Sequence, residues 1–297
     1  MGKEIAEHFP CAMEIFDKAS EALGFDVKEM IWNGDQQTLM ITENTQPAIV
    51  TMSSAVLSVL EEKGIKADYV AGLSLGEYTA HVASGSLKFE DAVRLVKKRG
   101  KYMQEAVPLG QGAMAAIIGL ADAEVESCCE NAADAGYVAP TNYNCPGQLV
   151  IAGEVAAVER ACALCKEKGA KRAKMLPVSA PFHCRLLDSA AEKLGKELET
   201  VSVYDMQLPV LTNVTADIIP SKEDIKGLLV KQVVSPVKWE ATVRRLIAEG
   251  VDTFIEIGPG RALCGFIGRI SKEVRALNAE DMDSLEKALS TLEESAC

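Results

Sequence analysis

The sequence predicts an α/β fold in which a small subdomain interrupts a larger domain built on a parallel sheet. Two observations support this prediction. Apolar runs of strand length alternate with amphipathic helical patterns along most of the chain, which favours a parallel sheet covered by helices. Between residues 109 and 179 the predicted order becomes β-α-β-β-α-β, the ferredoxin-like order. We therefore expect a large domain from residues 1–108 and 180–297 and a ferredoxin-like small subdomain from residues 109–179.

The larger domain is predicted from the spacing of apolar residues. A helical pattern covers residues 3–20, and a second helix is expected near Thr45, with Pro47 in its first turn. Residues 67–74 predict a short buried strand that ends in glycine. The remaining elements expected in this domain are helices at 77–85, 89–106 and 186–201, a strand at 207–216, helical structure at 222–247 broken at Ser235-Pro236, a strand at 251–260 and a helix at 261–270.

The small subdomain is predicted from a run of alternating signals. The pattern gives a strand at 112–120, a helix at 121–136, two strands on either side of the turn Cys145-Pro146-Gly147, a helix at 154–169 and a strand at 171–178.

Composition excludes several classes of protein. Hydrophobic residues make up 48% and charged residues 25% of the 297 residues, as in an ordinary globular protein. A formal net charge of −12 argues against general nucleic-acid binding, which needs a basic surface. No apolar run approaches the roughly 20 residues that span a bilayer, and the sequence opens without an apolar leader. We expect a cytoplasmic protein whose nine cysteines, an odd number, stay reduced.

A metal site is not expected from the sequence. Zinc in proteins needs about four ligands, and the chain has three histidines. Cys162 and Cys165 form one C-x-x-C, but it lies within a helical pattern and no second ligand pair is nearby. Cys128 and Cys129 also lie in a predicted helix, so we interpret all four cysteines as structural residues.

The segment Gly72-Leu73-Ser74-Leu75-Gly76 matches G-x-S-x-G and lies between a predicted strand and a predicted helix. This is the context of a nucleophile elbow, in which glycines allow a sharp turn that exposes the serine hydroxyl. The backbone N–H groups that follow, at a helix N-terminus, favour a developing oxyanion. An ordinary strand-to-helix turn is the alternative. Because such an elbow is typical of α/β-hydrolases, we expect the larger domain to be α/β-hydrolase-like.

A serine nucleophile needs a base, and the sequence offers three histidines. His8 lies on an amphipathic helix and is expected at the surface. His81 follows Ser74 by about two helical turns, roughly 10 Å, and is expected to be an ordinary helix-face residue. His183 lies in a loop after a predicted strand, where catalytic residues gather, so elimination leaves it as the base; the alternative is a loop histidine that only packs or hydrogen-bonds. The acceptor that orients its imidazole stays open, since either an acidic side chain or a backbone carbonyl could serve.

Several motifs occur in an order that matches one family over nearly the whole chain. They are GLSLGEY, AVRLVKKRGKYMQEA, GAMAAIIGL, NYNCPGQLVIAG, PFHC, VKQVVSPVKW and IEIGPGRAL. Together they closely resemble the malonyl-CoA:acyl carrier protein transacylases, a family that includes the acyltransferase domains of fatty-acid and polyketide synthases. The resemblance implies a ping-pong acyltransferase, with malonyl-CoA and acyl carrier protein as its substrates.

The resemblance also implies roles for individual residues. Ser74 matches the nucleophile, His183 the base, and the main-chain carbonyl of Gln232 the acceptor that orients the base, while the N–H of Leu75 falls at the oxyanion position. The remaining positions that match residues of the family's substrate site are Arg99, Asn142, Asn144 and Phe182. Phe182 resembles the residue that favours malonyl over the bulkier methylmalonyl group. No metal or organic cofactor is implied, because coenzyme A arrives with the substrate, and the free-standing members suggest a monomer.

The role implied for Arg99 has a physical basis. A carboxylate in a pocket without water is costly unless it is paired, and arginine offers a charged, planar, bidentate fork. An uncharged acyl group would leave the guanidinium unpaired, so the same residue could bind malonyl and reject acetyl. The alternative is a solvated arginine, because its neighbours form a basic helix face: Arg94, Lys97, Lys98 and Lys101.

The sequence departs from the family pattern in two places. Leu73 stands where most relatives have a histidine before the serine. The family also opens with a short strand and a glycine-rich loop whose glutamine supplies an oxyanion N–H, whereas MGKEIAEHFP resembles the segment after that loop. We expect from this that Met1 is an internal methionine and that the strand and loop are encoded upstream.

Other functions remain open at this point. A trans-acting polyketide-synthase acyltransferase would share every motif above. A serine thioesterase would share Ser74 and His183 but pass the acyl group to water. An inactive, N-terminally truncated paralogue would bind a carrier without catalysis. A cluster of basic residues in the small subdomain is a candidate for contact with the carrier or with coenzyme A phosphates, or is simply a solvated face: Lys166, Lys168, Lys171, Arg172 and Lys174.

Overall fold

The protein has a mixed α/β fold. The computed structural model describes residues 1–178 and 180–296, with side chains as far as residue 293, so the end points predicted for the small subdomain and the chain, 179 and 297, lie outside the described residues. The helices are α1 (Lys3–His8), α2 (Pro10–Leu23), α3 (Val27–Trp32), α4 (Gln36–Met40), α5 (Thr42–Glu62), α6 (Gly76–Ala83), α7 (Phe89–Ala106), α8 (Asp122–Asn131), α9 (Val155–Glu167), α10 (Asp188–Glu199), α11 (Lys222–Val234), α12 (Trp239–Ala248), α13 (Ala262–Ile270) and α14 (Met282–Ala296). Single 3₁₀ turns occur at Ala133–Ala135 and Arg185–Leu187.

The strands are β1 (Val70–Ala71), β2 (Gly112–Ile118), β3 (Val138–Cys145), β4 (Gln148–Glu154), β5 (Arg172–Met175), β6 (Val210–Leu211), β7 (Thr253–Ile257) and β8 (Arg275–Ala279). The chain divides into two compact units. The first comprises residues 1–100, 202–211 and 246–297, and the second comprises residues 101–201 and 212–245. No helix in the described ranges has both the length and the apolar character that a membrane crossing requires.

The second unit contains the predicted β-α-β-β-α-β segment. Its four strands pair in the order β3-β4-β2-β5, and each neighbouring pair is antiparallel. This is the ferredoxin-like arrangement expected from the sequence. The sheet packs on α8 and α9 through a buried apolar cluster that includes Ile117, Leu149, Ile151, Val125 and Val158. The four cysteines discussed above are buried in the same cluster.

The first unit contains parallel strands, but they form two separate pairs and not the single sheet that the sequence predicts. β1 pairs with β6, and β7 pairs with β8, both in parallel. β1 is also half-buried, whereas a buried strand was expected. Alternating strands and helices predict that neighbours run parallel, but they do not say which strands become neighbours.

Near two prolines, the helix boundaries differ from the prediction. The helical pattern at 3–20 is two helices, because Phe9 is extended (φ −114°, ψ 115°) and Pro10 starts α2. A residue before proline avoids the helical region, so the break is steric. Pro47 lies inside α5, which begins earlier, at Thr42, than the apolar pattern indicates. The short helices α3 and α4 lack a long apolar period and were not predicted.

Candidate active site

The turn between β1 and α6 has the geometry of a nucleophile elbow. Ser74 has a φ of 52°, and only two other non-glycine residues of the described chain have a positive φ, one of them His183. A side chain in this conformation costs about 1–3 kcal/mol and persists where its surroundings enforce it. Gly72 is required here, because a Cβ on it would lie 2.0 Å from the carbonyl carbon of Gly76. The ordinary strand-to-helix turn, the alternative drawn from the sequence, would not need this strain.

The residue after the serine presents a hydrogen-bond donor at the start of α6. Leu75 is the N-cap of α6 and has helical dihedrals (φ −56°, ψ −37°). N–H groups at the start of a helix have no acceptor within the helix, and the helix dipole adds positive potential there. The Leu75 N–H can therefore stabilise an oxyanion that forms on a carbonyl attacked by Ser74.

Arg99 is buried beside the serine, and this overturns the solvated alternative. Its side chain is 2% exposed. Nη1 donates to Gln46 Oε1 at 2.8 Å, and Nη2 donates to Ser74 Oγ at 3.1 Å. Arg94, five residues earlier on the same helix, is half exposed. The two arginines differ because positions five residues apart lie on different faces of a helix, and Arg99 points inward, toward Gln46 and Ser74.

Helices α5 and α7 approach each other closely, and this brings the Arg99 side chain within hydrogen-bonding distance of Gln46. A Cβ on Gly100 would lie 2.5 Å from the carbonyl oxygen of Thr42, so only glycine permits this separation of the two backbones. Gln46 was not among the residues predicted from the sequence. A signal in the sequence could have indicated it: Gln46 is a polar residue in a helix, α5, that is largely buried. Buried polar side chains have hydrogen-bond partners, so such a residue points to a polar contact.

The surroundings of Arg99 hold a positive charge inside the protein. Burial lowers the pKa of Arg99, and the nearby Tyr78 and Glu77 raise it. The Arg99 Cζ lies 5.6 Å from the centre of the Tyr78 ring. Burial also raises the pKa of Tyr78 to about 12, so its hydroxyl stays neutral. Arginine keeps its proton in such settings, and the site can therefore accept an anionic group.

In the second unit, His183 is held by a backbone carbonyl. Its Nδ1 lies 2.9 Å from the main-chain oxygen of Gln232, and the residue is 3% exposed. Because a carbonyl only accepts, Nδ1 carries the proton and Nε2 is left as a proton acceptor. The acceptor at Nδ1 is thus a main-chain carbonyl in this geometry.

The end of α11 explains why that carbonyl is available. A helical bond to Gln232 would come from residue 236, which is a proline without an N–H. α11 ends at Val234, and Ser235 is extended (φ −113°, ψ 149°). The carbonyl therefore lies in the last helical turn, where oxygens need partners from outside the helix.

Three further residues singled out from the sequence lie in the second unit. Asn142 is buried on β3, where its Oδ1 accepts from the Thr141 hydroxyl at 3.1 Å, and it forms a parallel bridge to Val237. Asn144 is buried on the same strand. Phe182 is half-buried and packs against a small cluster of buried residues on the sheet.

The other two histidines take no part in this arrangement. His8 is exposed on α1, as expected. His81 is fully buried on α6, and its Nδ1 lies 2.8 Å from Ser86 Oγ. Within the described residues, no three His, Cys, Asp or Glu side chains are grouped so that they could hold a metal ion.

Comparison with known proteins decides the family. The family model described as an acyl transferase domain matches residues 1–286. The chain belongs to the acyl transferase domain family. The malonyl CoA-acyl carrier protein transacylase of Bacillus subtilis (strain 168) is 46% identical over 295 residues, which are 99% of this chain and 93% of the relative.

Solved structures of acyl transferases agree with this assignment. The malonyl CoA-acyl carrier protein transacylase of Clostridium perfringens has a TM-score of 0.96 and 48% identity, covering 100% of this chain and 93% of its own. A malonyl-transacylase in complex with a type II polyketide-synthase acyl-carrier protein has a TM-score of 0.95 and 45% identity, covering 98% and 94%. Within the first unit of this acyl transferase domain, the Arg99 guanidinium lies beside the Ser74 hydroxyl. Within the second unit, His183 Nδ1 donates to the main-chain oxygen of Gln232.

Proposed function

We propose that this acyl transferase domain moves malonyl from malonyl-CoA to the phosphopantetheine thiol of an acyl carrier protein, through a malonyl ester on Ser74. The observation that carries the proposal is the buried guanidinium of Arg99 at 3.1 Å from the Ser74 hydroxyl. A free carboxylate on the acyl group would pair with it. The names of the Bacillus and Clostridium relatives support the same reaction.

The proposed reaction has two matching halves. Ser74 Oγ attacks the thioester carbonyl and gives its proton to His183 Nε2, while the N–H of Leu75 stabilises the oxyanion. The C–S bond breaks, and the sulfur of coenzyme A leaves as a thiol with the proton from His183. The carrier thiol then attacks the malonyl ester, giving its proton to His183, and Ser74 recovers a proton as its ester bond breaks. Gln232 keeps the imidazole in the required tautomer throughout.

Arg99 and three other residues define the proposed acyl site. The guanidinium holds the malonyl carboxylate, with Gln46 fixing one of its amino groups. Asn142, Asn144 and Phe182 are proposed to line the site, with Phe182 opposing a branched acyl group. We further propose that the enzyme works as a cytoplasmic monomer, without a metal or organic cofactor, in fatty-acid synthesis.

Three alternatives predict different outcomes with malonyl-CoA and carrier. A trans-acting polyketide acyltransferase is favoured by one observation, the similarity to a transacylase complexed with a polyketide carrier. It would load polyketide carriers faster than fatty-acid carriers. A serine thioesterase would release free malonate, and an inactive paralogue would form no acyl-enzyme.

The experiment measures both products at once. Malonyl-CoA is mixed with the protein, with and without a holo acyl carrier protein of fatty-acid synthesis, and malonyl-carrier and free malonate are quantified. We expect malonyl-carrier to dominate and His183→Ala to slow its formation by about 10²–10⁴-fold. His8→Ala, which changes an exposed histidine, is the matched control. Free malonate as the main product would favour the thioesterase, and no turnover by the folded protein would contradict the proposal.

A further inference from the structure

A buried polar cluster lies at the C-terminal end of α6, the helix that follows Ser74. It consists of His81, Ser84 and Ser86, each of which is fully buried, and we call it the clasp. Within the clasp, His81 Nδ1 and Ser84 Oγ each lie 2.8 Å from Ser86 Oγ. Gly85, at a φ of 73°, turns the chain back so that both serine hydroxyls reach the carbonyl oxygen of His81. The catalytic scheme above uses none of these residues.

The imidazole of His81 has a donating role in one arrangement of the clasp protons. When Ser86 donates its hydroxyl proton to the His81 carbonyl at 3.1 Å, its oxygen accepts from His81 Nδ1 at 2.8 Å. In this arrangement Nδ1 carries the proton of a neutral imidazole, and the inference below uses it. Burial supports the neutral form, because it lowers the pKa of His81 to about 4.

The clasp connects α6 to the strand pair that precedes the elbow. The carbonyl of Ser84 accepts from the N–H of Gln207 at 2.7 Å, and the carbonyl of Ser86 accepts from the N–H of Tyr204 at 3.0 Å. Residues 204–207 lead into β6, and β6 pairs with β1. β1 ends two residues before Leu73, and α6 begins two residues after Ser74. Both arms of the elbow are thus joined through the clasp.

We propose that His81 is a positioning residue for Ser74. The Nδ1–H of His81 holds the two serines of the clasp in place, and the clasp fixes α6 against the β1–β6 pair. That fixed angle keeps Ser74 at its strained φ of 52°. His81 lies about 10 Å along the helix from Ser74, so it acts through the backbone and touches no substrate. The inference rests on the proposed function only in taking Ser74 as the nucleophile.

The test replaces His81 in two ways. His81→Leu keeps an apolar bulk but removes the donor, whereas His81→Asn retains an amide nitrogen near the position of Nδ1. The rate of Ser74 acylation is measured by rapid quench over a range of malonyl-CoA concentrations up to saturation, at a temperature where circular dichroism shows folded protein. We expect His81→Leu to slow acylation about tenfold with an unchanged KM, and His81→Asn to recover most of the rate. Leu285→Ala, in the buried face of α14 in the same unit, controls for general destabilisation.

A second measurement does not depend on malonyl chemistry. The N–H of Gly76 donates to Leu73 O at 3.0 Å, and the N–H of Glu77 donates to Ser74 O at 3.2 Å. We expect these amides to exchange with deuterium about tenfold faster in His81→Leu than in the parent, with recovery in His81→Asn. If His81→Leu does not fold, Ser86→Ala is used in its place in both assays, because it removes the same hydrogen bond.

The outcomes separate the two proposals. Parent protein that is never acylated at Ser74, with elbow exchange that responds to His81, would contradict the proposed function and support the clasp. Unchanged acylation and unchanged exchange in folded His81→Leu would overturn the positioning role. Loss of rate without rescue by His81→Asn would also overturn it, because the donor would not be the cause.

Discussion

At the scale of single residues, the molecule holds a charged guanidinium where almost no water reaches it. Removing such a group from water costs several kcal/mol unless hydrogen bonds and counter-charges offset the loss. Arg99 has the side-chain oxygens of Gln46 and Ser74 as acceptors and the face of Tyr78 beside it. An incoming carboxylate would pair directly with the guanidinium, so acyl groups with a free carboxylate gain most from this residue.

Replacing the guanidinium should therefore change selectivity. We expect Arg99→Ala to lower kcat/KM for malonyl transfer by about 10²–10³-fold, and to lower the slow acetyl transfer far less. The measurement compares malonyl-CoA and acetyl-CoA in the same assay. Arg94→Ala on the exposed face of α7 is the control and should match the parent. Equal losses with the two substrates would contradict the carboxylate role.

A second residue-scale prediction concerns acid. The imidazole of His81 takes a proton near pH 6.5 when the chain is unfolded, but its pKa is about 4 in the fold, because burial opposes the charge. Between these values the unfolded state binds more protons, so stability falls as the pH falls. Between pH 7 and pH 5, we expect the free energy of unfolding to fall by about 2 kcal/mol less in His81→Asn than in the parent.

Urea titrations at the two pH values measure this difference. His8→Asn, which changes an exposed histidine, should follow the parent. If the free energy of unfolding falls equally in the parent and in His81→Asn, His81 is not the cause of the acid sensitivity.

At the scale of elements, the strand–turn–helix unit at Ser74 depends on one glycine more than on the other. A Cβ on Gly72 would lie 2.6 Å from the N of Glu77 as well as 2.0 Å from the carbonyl carbon of Gly76, whereas nothing lies within 4 Å of a Cβ on Gly76. Both glycines belong to the same motif, so they form a matched pair.

We expect Gly72→Ala to lower the free energy of unfolding by about 3 kcal/mol or more, because two backbone segments would have to move apart. Gly76→Ala should stay within about 1 kcal/mol of the parent, since alanine favours a helix. Denaturant titration of both variants measures the difference. A Gly72→Ala protein as stable as Gly76→Ala would contradict the described packing of the elbow.

Helices and strands could be predicted from the sequence where the pattern lies within a few neighbouring residues. Apolar spacing predicts α7, α9 and the four strands of the small sheet, and the glycines around Ser74 predict the elbow. The hydrogen bond from His183 to Gln232 joins residues 49 positions apart, so no local pattern contains it. Likewise, the contact of Arg99 with Gln46 exists because α5 and α7 approach closely at Gly100. A sequence shows such a glycine, but it does not show which backbone lies against it.

At the scale of the whole molecule, charge is distributed unevenly. The chain carries a formal net charge of −12, yet the five basic residues of segment 166–174 are all exposed, and none forms an ion pair within the described part of the chain. Two of them, Arg172 and Lys174, lie on β5, at one edge of the four-stranded sheet. An acidic carrier protein would be attracted to this segment, against the net negative charge of the chain.

Charge reversal tests this attraction. We expect the triple variant Lys171→Glu, Arg172→Glu, Lys174→Glu to raise the KM for the acyl carrier protein about tenfold and leave the acylation rate with malonyl-CoA unchanged. A control triple, Lys3→Glu, Lys272→Glu, Lys287→Glu, makes the same change of net charge at exposed positions of the first unit. A rise in the KM for malonyl-CoA instead would assign the segment to coenzyme A phosphates, and no difference between the triples would contradict carrier docking.

Covalent transfer through one hydroxyl is the claim on which these proposals depend, and intact-protein mass spectrometry after brief mixing with malonyl-CoA tests it most directly. The expected result is a single malonyl adduct per chain, located on Ser74 by peptide mapping, lost on addition of a holo acyl carrier protein and absent from Ser74→Ala. Folded protein that forms no adduct, or an adduct that persists in Ser74→Ala, would contradict the account.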